Sequence, residues 1–269
     1  MTDLVKLIHH SDGIVECLLN RPDKMNALSN ELIDEIIRVG ESLVEDEYVR
    51  AVIVRGEGRA FCAGIDLESL QQMQSDQAKS VSSRLMERTH GESNRFQRVA
   101  MVWRDIPVPV IAAIHGVAFG GGSQLALGAD LRVIAPDARM SVMEIKWGLV
   151  PDMGGMVLLR GLVRDDVARE LIYSGRIVDA AEAVALGLAT RVVHDPAAAA
   201  RQLAKEFSQK SPTALRAAKR LLSQWSSASD ADLLLAESDE QARLLGGEHQ
   251  IEAVSANLQK RTPVFTFKN

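Results

Sequence analysis

The chain has 269 residues, of which 46% are hydrophobic and 25% charged, a composition that is typical of a globular protein and excludes a disordered or collagen-like chain. The formal net charge of −5 and the 4% of aromatic residues argue against nucleic-acid binding, which favours basic surfaces and stacking platforms. No apolar run approaches the roughly 18 residues of a membrane helix, and the first residues lack the regions of a signal peptide, so we expect a cytoplasmic protein with no membrane partner.

The two cysteines, Cys17 and Cys62, cannot form a disulfide framework. Neither lies in a CxxC or Cys/His spacing that would hold zinc, so we expect no metal site. Reduced thiols agree with the expected cytoplasmic location.

The first half of the chain alternates strand and helix patterns. Two β-branched runs, 14–20 and 50–55, predict strands. The segment between them predicts a helix capped by Ser29 or Asn30, because its apolar residues recur at helical spacing: Leu32, Ile33, Ile36, Ile37, Leu43 and Val44.

The middle of the chain continues this alternation. Strand patterns at 108–114 and 131–135 flank the glycine run 120–122 and a helical segment at 123–130. Strands that alternate with helices predict an α/β layered core.

A weaker strand and helix pair follows. Asp179 is placed to cap a helix that runs to Leu186 and ends at Gly187 in the left-handed conformation, and 188–193 predicts a last strand.

The end of the chain contains only helix signals. Pro212 opens an amphipathic helix, and further helices are predicted at about 230–245 and 248–260. We therefore predict an α/β core over residues 1–196 and a helical region over 197–269. The first of these helices has one apolar stripe: Leu215, Ala218, Leu221, Leu222 and Trp225.

The run Gly120 to Gly122 stands between a strand and a helix. Without side chains, its backbone N–H groups can approach a ligand oxygen at the helix N-terminus, and tight packing of strand against helix is the alternative explanation. A dinucleotide site fits less well, because its glycine fingerprint lies in the first strand and helix unit.

This glycine run occurs with three other motifs in fixed order: NRPDKMNALS at 20–29, RAFCAGIDLESL at 59–70 and MEIKWGLVPDMGG at 143–155. Together they resemble the crotonase family, also called the enoyl-CoA hydratase/isomerase family. The resemblance implies a spiral of ββα turns, a C-terminal helical trimerisation region, an acyl-CoA substrate and no cofactor beyond the coenzyme A of that substrate. It also implies a homotrimer, or a hexamer built from two trimers.

The shared step of that family is the stabilisation of a thioester enolate. Transferred by motif, the two backbone N–H donors of the oxyanion hole belong to Ile65 and Gly121. Donors fixed in advance favour the developing oxyanion, each by roughly 10²–10³ in rate. The resemblance also implies a set of residues along the coenzyme A moiety, the last of which would reach the ligand of a neighbouring subunit: Arg21, Lys24, Ala27, Ala63, Asp66 and Lys260.

The motifs depart from a hydratase at two positions. Hydratases of the family use two glutamates, and here those positions hold Gln124 and Glu144. Gln124 cannot carry a proton at neutral pH, so hydration should be poor. Asp152 stands where hydratases have glycine and where the dienoyl-CoA isomerase branch has an aspartate, although that branch also has an aspartate at the position of Gln124.

These residues leave three functional hypotheses. The first is double-bond isomerisation of an acyl-CoA by proton exchange between Glu144 and Asp152. The second is hydration through Glu144 alone, and the third is a catalytically silent CoA-binding or scaffold protein. Trp147 is expected in the core or in an apolar wall beside Glu144, and His115 is expected to be a hydrogen-bonded structural residue.

Overall fold

The computed structural model describes residues 3–72 and 82–266 as an α/β fold built on a six-stranded sheet. Its strand order is β1-β2-β3-β4-β6-β9, with β1 antiparallel to β2 and the other neighbours parallel. A small second sheet has the order β5-β7-β8. The strands are β1 (Val5–His9), β2 (Ile14–Leu19), β3 (Ala51–Gly56), β4 (Val110–Ile114), β5 (Val117–Phe119), β6 (Leu131–Ile134), β7 (Arg139–Ser141), β8 (Val178–Asp179) and β9 (Arg191–Val192).

Helices cover both faces of the large sheet and make up the end of the chain. Two short 3₁₀ helices, Pro22–Lys24 and Glu144–Trp147, carry motif residues. The α-helices are α1 (Asn30–Glu45), α2 (Leu67–Gln72), α3 (Arg95–Asp105), α4 (Gly121–Leu127), α5 (Gly155–Leu159), α6 (Asp165–Ser174), α7 (Ala180–Leu186), α8 (Pro196–Ser208), α9 (Pro212–Gln224), α10 (Asp230–Leu244) and α11 (Glu248–Leu258).

The predicted helix caps are present. Ser29, rather than Asn30, caps α1, and its hydroxyl accepts from the backbone N–H of Leu32 at 3.3 Å. Asp179 caps α7 in the same manner at 2.9 Å, and Gly187 ends that helix at a φ of +90°. The strand predicted at 188–193 is shorter than expected, since only Arg191–Val192 pairs with β6.

The two faces of the large sheet bury alternating residues of the same strands. On β3, Val52 and Val54 face the cluster that contains α1 and α3, whereas Ala51 and Ile53 face a second cluster. Because successive side chains of a strand point to opposite faces, both layers of the core depend on this alternation. The second cluster is completed by three residues of α8: Ala200, Leu203 and Ala204. The helical region predicted to begin at 197 therefore starts with a helix that covers the sheet.

Helix α9 is tied to the core by a buried ammonium group. Lys219 donates from Nζ to the carboxylate of Asp130 at 2.7 Å and to the carbonyl of Val108 at 2.8 Å. The apolar stripe predicted for this helix is partly exposed in a single chain, since Leu222 and Trp225 are 59% and 64% exposed. Polar hydrogen bonds thus hold α9 to the core, and burial of the stripe against other subunits stays a prediction.

Candidate active site

The sequence motifs meet in one cavity of about 470 Å³, lined by the loops that follow the neighbouring strands β2 and β3 and by the end of β5. Loops that follow neighbouring parallel strands converge at one edge of the sheet, where ligands usually bind in open α/β sheets. Most of the predicted site residues line the cavity: Lys24, Ala27, Ala63, Ile65, Asp66, Gly121, Gln124, Glu144 and Asp152.

The loop around Ile65 is held so that its backbone N–H is available to a ligand. Leu28 donates to the carbonyl of Gly64 at 2.8 Å, and Asp66 donates to the carbonyl of Leu28 at 3.2 Å. In this parallel pairing the N–H of Ile65 faces away from Leu28. Gly64 has a φ of +92°, and a Cβ there would lie 2.5 Å from the carbonyl oxygen of Phe119, so the loop requires glycine.

The second donor lies at the start of α4. The N–H of Gly121 is in the first turn of the helix and has no acceptor within it. A Cβ atom added to Gly64 would lie 3.6 Å from this nitrogen. The loop that carries Ile65 is therefore close to the start of the helix. A Cβ on Gly122 would lie 2.3 Å from the carbonyl oxygen of Cys62. The glycine run therefore serves close packing as well as access to a ligand.

Gln124 is fully buried and its amide is oriented by its partners. Its Oε1 accepts from the backbone N–H groups of Met153 at 2.8 Å and Gly155 at 2.9 Å. Because the oxygen is committed to these two donors, Nε2 points to Glu144 and donates to its Oε1 at 2.6 Å. Gln124 therefore connects Glu144 to the loop that carries Asp152.

Glu144 is among the lining residues of the cavity, and its carboxylate is almost fully buried. The residue is 9% exposed, and its Oε2 is buried without a hydrogen-bond partner among the residues that the structure describes. Burial raises the pKa of the carboxyl above its ordinary value, and the charge of Asp152 adds to this, whereas the Gln124 amide acts in the opposite direction. A buried carboxylate with a raised pKa is suited to accept a proton near neutral pH.

Asp152 is among the lining residues of the same cavity. Its side chain reaches solvent, yet the protein around the carboxyl desolvates it and raises its pKa. Within residues 3–72 and 82–266, no basic side chain forms an ion pair with Asp152 or Glu144. The site therefore holds two acidic groups whose pKa values are both raised.

The residues predicted to lie along coenzyme A form the mouth of the cavity. Lys24 lines it and donates to the carboxylate of Glu68 at 3.2 Å. Arg21 lies behind the mouth, where its Nη1 donates to the carbonyl of Ala27 at 2.9 Å and to the carboxylate of Asp66. Although burial alone would raise it, the pKa of Asp66 is lowered by the N–H of Glu68 and by Arg21. Arg21 thus braces the mouth and is not part of the cavity wall.

Lys260 is not brought to the cavity within one chain. It follows α11, and its backbone has a φ of +52°. A contact with the ligand of a neighbouring subunit stays a prediction.

The remaining candidates have clear structural roles. Trp147 is 48% exposed and lines the cavity, so it belongs to the wall beside Glu144 and not to the core. His115 donates from Nε2 to the carbonyl of Gly58 at 2.9 Å, as a structural histidine would. Both cysteines are buried and unpaired, and burial raises the pKa of the Cys62 thiol to about 12.

The sequence did not point to six apolar residues of the cavity wall: Met25, Leu67, Leu70, Phe119, Leu149 and Met153. Leu149 and Met153 lie within the motif that contains Glu144 and Asp152, so proximity to those carboxylates was the available signal.

In the described ranges no helix is long and apolar enough to cross a membrane, and no group of three acidic, His or Cys side chains is placed to hold a metal ion.

The fold and the cavity define an α/β enzyme of the crotonase class, with two available backbone N–H groups and a buried carboxylate in one cavity. The chain belongs to the enoyl-CoA hydratase/isomerase family, whose model matches residues 9–268. An enoyl-CoA hydratase from Bacillus anthracis has a solved structure that superposes with a TM-score of 0.89 at 30% identity, covering 98% of this chain and all of that one. The predicted family and fold class are therefore confirmed, and the protein is an acyl-CoA enzyme of this family.

Two relatives from animals have similar sequence identity to this chain. The methylglutaconyl-CoA hydratase of Mus musculus is 34% identical over 93% of this chain and 79% of its own length. The enoyl-CoA hydratase domain-containing protein 2 of Homo sapiens is 35% identical over 95% of this chain and 86% of its own length. Both are named as mitochondrial proteins, so the predicted cytoplasmic location is wrong by this comparison.

Proposed function

We propose that the protein moves a double bond within an acyl-CoA thioester, with Glu144 as the base and Asp152 as the second proton carrier. The observation that carries this proposal is the orientation of Gln124. Its amide donates to one oxygen of Glu144 at 2.6 Å, and the other oxygen has no hydrogen-bond partner among the described residues, so we assign it the role of the base. An amide cannot carry a proton between carbons, so we assign the second proton transfer to Asp152, the lining carboxyl whose charge acts on Glu144.

The thioester carbonyl oxygen lies between the N–H groups of Ile65 and Gly121. Glu144 removes a proton from the carbon at one end of the unsaturated segment, and the electron pair of that bond moves through the double bond to the carbonyl oxygen. The negative charge develops on this oxygen, where the two N–H groups stabilise it. Preorganised donors of this kind lower the barrier because they need no rearrangement as the charge forms.

The second half of the reaction returns a proton at a different carbon. Protonated Asp152 donates to the far end of the enolate, which restores the thioester carbonyl and leaves the double bond displaced. Glu144 now holds the proton that it removed and Asp152 is ionised. Because Asp152 reaches solvent, exchange with water restores the starting protonation states.

A second candidate is hydration through Glu144, and the names of the relatives favour it. The Mus musculus and Homo sapiens relatives are both named for hydratase activity. In this reaction Glu144 takes a proton from a water molecule while the water oxygen adds to the β-carbon, and the two N–H groups hold the resulting enolate. Glu144 then returns the proton to the α-carbon. Isomerisation differs because its enolate forms by removal of a proton from the acyl chain.

Coenzyme A is proposed to enter at the mouth of the cavity, beside Lys24, Ala27, Ala63 and Asp66. No cofactor beyond the coenzyme A of the substrate is proposed.

We also propose a homotrimer or a dimer of trimers. Its support is the apolar surface that the helical region leaves exposed, with Leu234 and Leu258 at 62% and 80% exposure.

The test is a panel of enoyl-CoA and dienoyl-CoA thioesters, followed by mass spectrometry and by the absorbance of the conjugated thioester. Isomerisation changes the absorbance without a change of mass, whereas hydration adds the mass of one water. A protein that binds the thioesters and converts none of them would be a silent CoA-binding protein, which contradicts both candidate reactions.

A further inference from the structure

We propose that the acyl group of the substrate is uncharged and apolar, and that the cavity discriminates against acyl chains that carry a second carboxylate. This inference rests on the proposed function, because it assumes that the thioester lies between the Ile65 and Gly121 amides. It concerns the part of the acyl chain that extends past the thioester.

The position of the two carboxylates determines what this part of the chain meets. With the carbonyl oxygen at the two amides and coenzyme A at the mouth near Lys24, the acyl chain extends toward Glu144 and Asp152. Neither carboxylate is neutralised by an ion pair in the described part of the chain. A distal carboxylate would therefore bring a second negative charge close to ionised Glu144.

The wall around these two groups is apolar. The residues that flank them in sequence and line the cavity have thioether, indole and aliphatic side chains: Met143, Trp147, Leu149 and Met153. Such a wall binds an aliphatic acyl group by burying its surface, and it offers no hydrogen bonds to replace the water around a carboxylate.

Basic side chains near the cavity are positioned for other partners. Among the described residues that line it, Lys24 is the one basic residue, and it lies at the coenzyme A end with Glu68 3.2 Å away. Lys146 is closer in sequence to the acyl end, but its Nζ lies 5.4 Å from the centre of the Trp147 ring and it does not line the cavity.

One relative is named for a substrate of the class that this cavity should exclude. A methylglutaconyl group carries a second carboxylate, and the Mus musculus relative at 34% identity is named as a methylglutaconyl-CoA hydratase. If the arrangement of charges described above is decisive, this chain and that relative differ in substrate class despite their similarity.

The experiment compares two saturated thioesters of equal length, valeryl-CoA and glutaryl-CoA, which differ in a terminal methyl group or carboxylate. Binding is measured by isothermal titration calorimetry, so the result does not depend on turnover. We expect valeryl-CoA to bind at least tenfold more tightly, because like charges a few ångströms apart repel strongly in a partly buried site.

Two variants test whether negative charge in the cavity causes the preference for valeryl-CoA. Glu144→Gln removes the ionised carboxylate and should narrow the preference for valeryl-CoA at least threefold. Glu237→Gln removes one negative charge from an exposed position on α10, so it should leave the preference unchanged. An unchanged preference in Glu144→Gln contradicts the proposed cause, and circular dichroism confirms that each variant is folded.

The two possible failures are distinguishable. Equal or tighter binding of glutaryl-CoA overturns the inference alone, and loss of that binding in Lys146→Gln would identify the ammonium group responsible. If neither thioester binds, both the inference and the proposed function are overturned.

Discussion

The substitution Gln124→Glu tests the proposed division of roles in the cavity. The two N–H groups of Met153 and Gly155 that now bind Oε1 of Gln124 would bind a carboxylate oxygen equally well. The other oxygen would replace Nε2, which lies 2.6 Å from Oε1 of Glu144. Two carboxylate oxygens at that separation must share a proton.

The size of this effect follows from the geometry. Two unit charges 2.6 Å apart repel by about 6 kcal/mol at an effective dielectric constant of about 20. One pKa unit corresponds to about 1.4 kcal/mol, so the second ionisation of the pair would be raised by about four units. The pair would therefore hold one proton at neutral pH and contain an acid beside a base, as hydration requires.

We expect Gln124→Glu to add water to crotonyl-CoA faster than the wild-type protein, from a low baseline. The assay follows loss of the conjugated thioester across a range of pH, and mass spectrometry confirms the hydroxyl product. The pH profile of the variant should show an upper limb, where the shared proton is lost, that the wild-type profile lacks.

Gln124→Met is the matched control, because it preserves the length of the side chain and removes both polar groups. It leaves the buried N–H groups of Met153 and Gly155 without acceptors, at a cost of about 1–3 kcal/mol each in the free energy of unfolding. Wild-type hydration of crotonyl-CoA at about 10 s⁻¹ or more, a rate normal for an enzyme, would refute the reasoning about Gln124.

The other predictions concern the acids, their pH dependence, the glycine loop and assembly. Glu144→Gln and Asp152→Asn should each lower kcat about 10²–10⁴-fold and leave the Kd for an acyl-CoA nearly unchanged, and a loss that appears only in Kd would contradict proton transfer. Wild-type kcat/KM should decline as the pH falls through the raised pKa of Glu144, above the ordinary value of 4.5. The folded state holds this proton more tightly than the unfolded state, so the free energy of unfolding declines as the pH rises from the unfolded-state pKa of Glu144 to its folded-state pKa. Above that range, chemical denaturation should show that Glu144→Gln is more stable than the wild type. Gly64→Ala should cost about 2 kcal/mol or more in the free energy of unfolding and lower kcat, because its Cβ would lie 2.5 Å from the carbonyl oxygen of Phe119; a variant as active and stable as the wild type would contradict the assigned loop geometry. Light scattering at micromolar concentration should give the mass of a trimer or hexamer, and a monomer would refute the proposed assembly.

Local patterns in the sequence predicted much of the fold. The strand patterns at 14–20 and 50–55 match β2 and β3 to within one residue at each end, and the segment between them is a helix. The caps at Ser29 and Asp179 depend on a hydrogen bond three residues along the chain. Such features depend on neighbours in sequence, so they can be predicted without the tertiary fold.

Other elements were not predicted. The sequence showed no clear pattern for β1 or α3, and both are defined by partners elsewhere in the chain. β1 pairs with β2, and α3 packs on α1 through buried residues such as Val102. The exposure of Trp147 and Leu222 also depends on which surfaces meet, and a periodic pattern alone does not determine this.

The sequence by itself determined the family and the chemical types at the site, because the motifs contain Gln124, Glu144 and Asp152 at recognisable positions. Only the tertiary structure decided how these groups interact. The amide of Gln124 meets donors 29 and 31 residues away along the chain, and this contact determines which atom faces Glu144. Hydrogen bonds between distant segments form only when the packed core brings those segments together, so the orientation of the base is a property of the fold and not of the motif.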